Sequence, residues 1–211
     1  MKSIQALKKI SSTPFTHATL QSVLSEYKNP NDKIKRMVQS GEIVRIKQAL
    51  YVLSGPSVSK ALLANVLYGP SYLSLDYALS HYGLIPERVV EFTSITTKIA
   101  KNYRTPLGRF SYIKSPKCLY AKSIKIETNR DGVNYLIASP EKALIDKVLF
   151  TQNLKVTSVK AMAEYLEQDL RLDLGEFKAL DLGLVEQCID CAYKAKLLVF
   201  LYKALQKLGV S

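Results

Sequence analysis

Apolar residues at helical spacing open the chain. Ile4, Leu7 and Ile10 recur every three residues until Ser11-Ser12-Thr13-Pro14 interrupts them, which predicts a short first helix. Thr16 is a natural N-cap for a second helix. Phe15 precedes it and Leu20 is placed to close a hydrophobic staple, and Leu20, Val23 and Leu24 form one apolar face. A third helix is expected over residues 31–40, with Asn29 as cap and Pro30 at a first position where a missing N–H costs nothing. Asp32 suits the positive end of its dipole, and Gly41 ends it. From residue 42 the period changes to two: Val44 and Ile46 are expected to face inward, Arg45 and Lys47 outward, and residues 50–53 to return as the second strand of a ribbon. Three helices followed by a two-stranded ribbon is the order of a winged helix-turn-helix.

Ser54-Gly55-Pro56-Ser57 is the clearest linker, and it divides the chain into a unit at 1–54 and a larger one at 58–211. In the larger unit helices are expected at 61–67, stopped by Gly69-Pro70, and at 75–82, stopped by Gly83. Strand-like segments follow near 92–97, 110–113, 124–128 and 133–138, the last two joined by a turn at Asn129-Arg130-Asp131-Gly132. Helical periodicity returns at Ser139-Pro140, with Ala143, Leu144, Val148 and Leu149 on one side, and helices dominate to the end. The fold class read from these patterns is α+β: an N-terminal winged helix-turn-helix followed by a mixed α+β domain with a helical C-terminal end. Residues 184–208 read as one final helix. It turns apolar on every side at 197–202, which means burial in the larger unit or against a second copy in a homodimer.

Charge sharpens the picture by its placement. The 211 residues carry a net +12, of which residues 1–54 hold +6, residues 55–117 hold +5 and residues 118–211 only +1. A basic front and a balanced back suit a chain that lays one end on a polyanion, since neutralising phosphates releases counterions. On the third helix Ile34, Met37 and Val38 cluster on the buried side, while Asp32, Arg36 and Gln39 point most nearly outward with Lys33 and Lys35 on the flanks. Arg reads guanine through O6 and N7 and Gln pairs with adenine, whereas Lys more naturally meets phosphate. The candidate contacts to double-stranded DNA are therefore Asn31, Lys33, Lys35, Arg36, Gln39, Arg45 and Lys47.

The segments PFTHATL, MVQSGEIVRIKQALYVL, SYLSLDYALSHYGLIPE, TSITTK, TPLGRFSYIK and ASPEKALIDKVLF occur in that order. Together they resemble the AbiEi family of antitoxin and transcriptional-regulator proteins of type IV toxin–antitoxin systems, over residues 10–150. The resemblance implies a winged-helix domain that represses its own operon and a C-terminal domain that counters a nucleotidyltransferase-type toxin encoded beside it, in phage defence. It further implies that antitoxin and toxin need no stable complex. It places the DNA-contacting helix on residues 31–40 and the wing on 44–52. One position departs: where the family wing carries a basic residue followed by glycine, this chain has Gln48-Ala49, and a differently shaped wing tip is expected.

Other chemistries find little support in the residues. Cys188 and Cys191 have metal-ligand spacing but lie in a predicted helix, with Cys118, His17 and His81 scattered elsewhere, so core packing is the expectation and no metal site is assigned. No nucleotide-binding glycine motif, hydrolase triad or cofactor signature is present. Asp173 with Glu176-Phe177-Lys178 makes a poor nuclease centre and reads as a solvated charge cluster. The tyrosines at 68, 72, 77 and 82 are expected to do core and hydrogen-bonding duty. No apolar run is long enough for a signal peptide or a membrane span, and three cysteines do not suggest a disulfide framework, so a cytoplasmic protein is expected. The alternatives kept open are a stand-alone regulator without a toxin partner, a DNA-anchored nucleic-acid-modifying enzyme and an RNA-binding module. The first differs in its gene neighbourhood and the last in preferring RNA to duplex DNA.

Overall fold

The computed structural model describes residues 13–55, 58–173, 175 and 181–210. The expected first helix at residues 4–10, Pro56 and Ser57 of the linker, and Glu176-Phe177-Lys178 lie outside them. The described residues form a mixed α+β structure with two sheets, one of three strands and one of six.

The smaller sheet combines β1 (Phe15–Thr16), β2 (Ile43–Lys47) and β3 (Leu50–Leu53) in the order β1-β3-β2, antiparallel throughout. Helices α1 (His17–Val23) and α2 (Pro30–Gln39) are inserted between β1 and β2. Thr16 caps α1 as expected, its hydroxyl accepting from the Thr19 amide at 3.2 Å. Pro30 stands at the start of α2, while Asn29 makes no side-chain capping bond. Phe15, Leu20, Leu24, Ile34, Met37, Ile43 and Tyr51 close a small core between the helices and one face of the ribbon.

The ribbon's other face is also buried, against the larger unit. Val44 and Ile46, expected to face inward, pack with Leu50 and Val52 into the main core. Strand alternation defines two faces, and here both are covered.

Past the linker, α3 (Lys60–Leu67) leads into the six-stranded sheet. Its strands are β4 (Ser71–Leu73), β5 (Phe92–Thr96), β6 (Lys101–Thr105), β7 (Gly108–Lys114), β8 (Ile124–Thr128) and β9 (Asn134–Ala138), in the order β6-β7-β5-β4-β9-β8. The pairs β5·β7 and β4·β9 are parallel and the rest antiparallel. α3 packs on β4, β5 and β9, and α4 (Leu75–His81) lies between β4 and β5 in the chain, with Gly83 at φ +72 ending it. A short α5 (Lys117–Tyr120) links β7 to β8, and Gly132 turns the β8–β9 hairpin at φ +74.

The helical end comprises α6 (Pro140–Phe150), α7 (Val159–Glu164) running on into a π-helical turn at Tyr165–Asp169, α8 (Leu182–Ile189) and α9 (Ala195–Lys207). The expected single helix over 184–208 is two helices. The break is held by Tyr193 and Lys194, whose side chains donate to the Leu149 carbonyl at 2.8 and 2.9 Å. α6 is capped by Ser139 as expected, yet it is buried on more than one side because α4, α8 and α9 all pack on it. Lys142 and Asp146, one turn apart on α6, are wholly buried and ion-paired. The second carboxylate oxygen of Asp146 accepts from Tyr72 at 3.0 Å and Ser74 at 2.7 Å. Burial beside that carboxylate pushes the Tyr72 hydroxyl far above its ordinary range, so it stays a donor. Among the described residues no helix is long and apolar enough to cross a membrane.

Candidate nucleic-acid interface

Burial of Ile34 and Met37 fixes the rotation of α2 about its own axis. Asn31, Lys35 and Gln39, spaced by four residues, then share one exposed ridge. That ridge overlooks the ribbon, where Arg45 is paired across strands with Tyr51 and lies on the same face. Asn31, Lys35, Gln39 and Arg45, with His17, Ile34, Val38 and Tyr51, line an open cleft of about 230 Å³. Among the described residues no carboxylate lines it.

The floor of this cleft is wired to α1. The Asn31 side-chain oxygen accepts from Gln21 Nε2 at 3.0 Å and lies 3.1 Å from His17 Nε2, and His17 Nδ1 lies 3.5 Å from the Tyr51 hydroxyl. The His17 amide donates to the Ala49 carbonyl at 3.0 Å, tying the start of α1 to the ribbon tip. Asn31 therefore uses its acceptor inside the protein. What remains for a ligand is the donor side of its amide.

The seven residues singled out from the sequence divide three ways. Asn31, Lys35, Gln39 and Arg45 come together in the cleft, and Arg36 is exposed on the adjoining strip of α2. Lys33 is half-buried on the flank, its ammonium 5.8 Å from the centre of the Tyr27 ring. Lys47 departs from the expectation that it would stand beside Arg45. The register moves from Arg45↔Tyr51 to Lys47↔Leu50, so a bulge at Ile46 transfers Lys47 to the opposite face. There its ammonium donates to the Leu67 carbonyl at the end of α3.

Sequence reasoning missed the company that Lys47 keeps. Lys98 and Lys101 bring their ammonium groups to 5.3 and 5.7 Å from the Tyr68 ring centre, and Lys101 and Lys47 approach the Tyr103 ring at 5.0 and 6.0 Å. Burial, and then repulsion from Lys101 and Lys98, lowers the Lys47 ammonium from its ordinary range. The signal was the run Lys101-Asn102-Tyr103-Arg104, whose alternation places Lys101 and Tyr103 on one side of a strand. His17, Gln21 and Tyr51 were also missed; each sits far in sequence from the helix it supports.

The other candidate chemistries are dispersed. Cys188 is buried in the core, where desolvation pushes its thiol up, and Cys118 Sγ lies 3.5 Å from the Cys191 carbonyl oxygen. Among the described residues no three His, Cys, Asp or Glu side chains are grouped to hold a metal ion. Tyr68, Tyr72 and Tyr82 hydroxyls donate to the Ile99 carbonyl, the Asp146 carboxylate and the Ala138 carbonyl, at 3.1, 3.0 and 3.0 Å. No protein-family model matches the chain, and no curated protein does either.

Proposed function

We propose that the chain is a DNA-binding transcriptional repressor whose N-terminal unit is a winged helix-turn-helix, with α2 as the reading helix and the β2–β3 ribbon as the wing. The cleft carries this reading: Asn31, Lys35, Gln39 and Arg45 face the same solvent from two elements, with Arg36 beside them and, among the described residues, no acid in the lining. The strand order β1-β3-β2 around α1 and α2 supports it, because that order lays a ribbon alongside the second helix of a helix-turn-helix pair. In this arrangement Arg36 and Gln39 read base edges, Lys35 and Arg45 hold phosphates, and Lys33 touches the backbone at the flank.

The resemblance to AbiEi proteins extends the proposal: the repressor acts on its own operon, and the larger unit counters a nucleotidyltransferase-type toxin without a lasting complex. A promoter duplex titrated against the full chain tests the first part. Arg36→Ala is expected to cost about 1–3 kcal/mol and to relax base preference, while Arg45→Ala weakens all sequences alike and lowers the salt slope by about 1. Unchanged affinity in a folded Arg36→Ala protein removes α2 as the reader. For the second part, the same full-length variants are placed beside the toxin gene. Repression is expected to fall while growth rescue persists; joint loss of both would mean that protection comes from repression alone.

A further inference from the structure

The six-stranded sheet ends in two open edges of different chemistry. On one, β6 carries Lys101 and Arg104, and Arg109 of β7 lies directly across from Arg104. A second copy laid along that edge would bring like charges together. On the other, β8 reads Ile124-Lys125-Ile126-Glu127-Thr128 and, among the described residues, pairs only with β9.

The direction of its hydrogen bonds can be assigned. The Asn129 amide donates to the Val133 carbonyl and the Ser139 amide to the Ser123 carbonyl, both at 3.0 Å. With the register running from Ile124↔Ala138 to Thr128↔Asn134, residues 123, 125, 127 and 129 bond toward β9. The N–H and C=O groups of Ile124, Ile126 and Thr128 therefore point to the open edge. Ile126 is 69% exposed, its cross-strand partner Leu136 38% and Val66 43%. Ile126 and Leu136 stand opposite each other across the strands, and Asn65 bonds both the amide and the carbonyl of Leu136.

We propose that β8 pairs antiparallel with β8 of a second copy about a two-fold axis at Ile126, joining two six-stranded sheets into one. In this register Ile126 meets Ile126 as a hydrogen-bonded pair, and Ile124 meets Thr128. Lys125 meets Glu127 on both sides of the axis as non-hydrogen-bonded pairs, in which side chains approach most closely. The five residues are complementary in charge to their own reverse. A slip of the axis by one residue, to Lys125 or to Glu127, sets lysine against lysine or glutamate against glutamate. The charges on this edge thus select one register and one partner, another copy of the same strand.

The test is the oligomeric state of the full chain, by sedimentation velocity over a concentration series. A concentration-dependent dimer is expected. Lys125→Glu and Glu127→Lys should each weaken it roughly ten- to a hundredfold, because each turns two attractive pairs into repulsive ones. An equimolar mixture of the two variants should restore dimers, as should the double variant, since both recreate opposite charges across the axis. A monomer at every concentration overturns the proposal, as do dimers indifferent to both single variants. Failure of the mixture and the double variant to recover, with all chains folded by circular dichroism, overturns it equally.

Discussion

Lys142 shows how much a single side chain is asked to do. Its ammonium is sealed from water and neutralised by Asp146, while Tyr72 and Ser74 occupy the other carboxylate oxygen. Removing one member of such a pair leaves a buried charge without compensation, which costs far more than the intact pair contributes. Lys142→Met is expected to lower stability by about 3–5 kcal/mol in urea unfolding. Lys142→Met combined with Asp146→Leu should lose clearly less, because no charge then remains to be buried; equal losses would mean that packing, not the stranded carboxylate, sets the cost. In the sequence these residues look like one more lysine and one more aspartate within a helix. Nothing local announces a buried pair, since Tyr72 and Ser74 stand more than seventy positions from Asp146.

Elements with their own end signals were legible in the chain. Thr16 before α1, Pro30 at α2, Gly83 after α4 and Ser139-Pro140 at α6 each act through a bond or a backbone angle that the residue itself supplies. β4 and β6 were not read, for opposite reasons. β4 has three residues, all buried, and so no alternation to detect, while β6 offers only Tyr103 among polar residues and is held by β7. The orientation of Lys47 was misread because a bulge leaves no mark in the pattern it interrupts. The ribbon tip carries its own prediction. Ala49 adopts φ +61, a conformation that penalises a Cβ and that glycine accepts freely. Ala49→Gly is expected to raise stability by about 0.5–1 kcal/mol, the relief of that penalty exceeding the entropy that glycine adds to the unfolded chain. A fall in the thermal midpoint would show that the tip depends on the alanine methyl group.

At the scale of the whole molecule, the ribbon belongs to two cores at once. Ile43 and Tyr51 look toward α1 and α2, whereas Val44, Ile46, Leu50 and Val52 look toward the larger unit. Lys47 adds a hydrogen bond to the end of α3. The expected division at residue 54 falls in the sequence where the linker lies, but apolar contact continues across it. Unfolding is therefore expected as one cooperative transition, and Leu50→Ala should lower its midpoint at a cost of about 2–5 kcal/mol. Two separate calorimetric transitions, with only one moved by Leu50→Ala, would show that the units hold themselves up independently. The shared ribbon also bears on transplantation. A module whose back is as apolar as its front cannot be cut out and fused elsewhere as a ready-made cassette, because the graft would expose Val44, Ile46, Leu50 and Val52 as an adhesive stripe. An engineer borrowing it must first recolour those four positions with polar side chains.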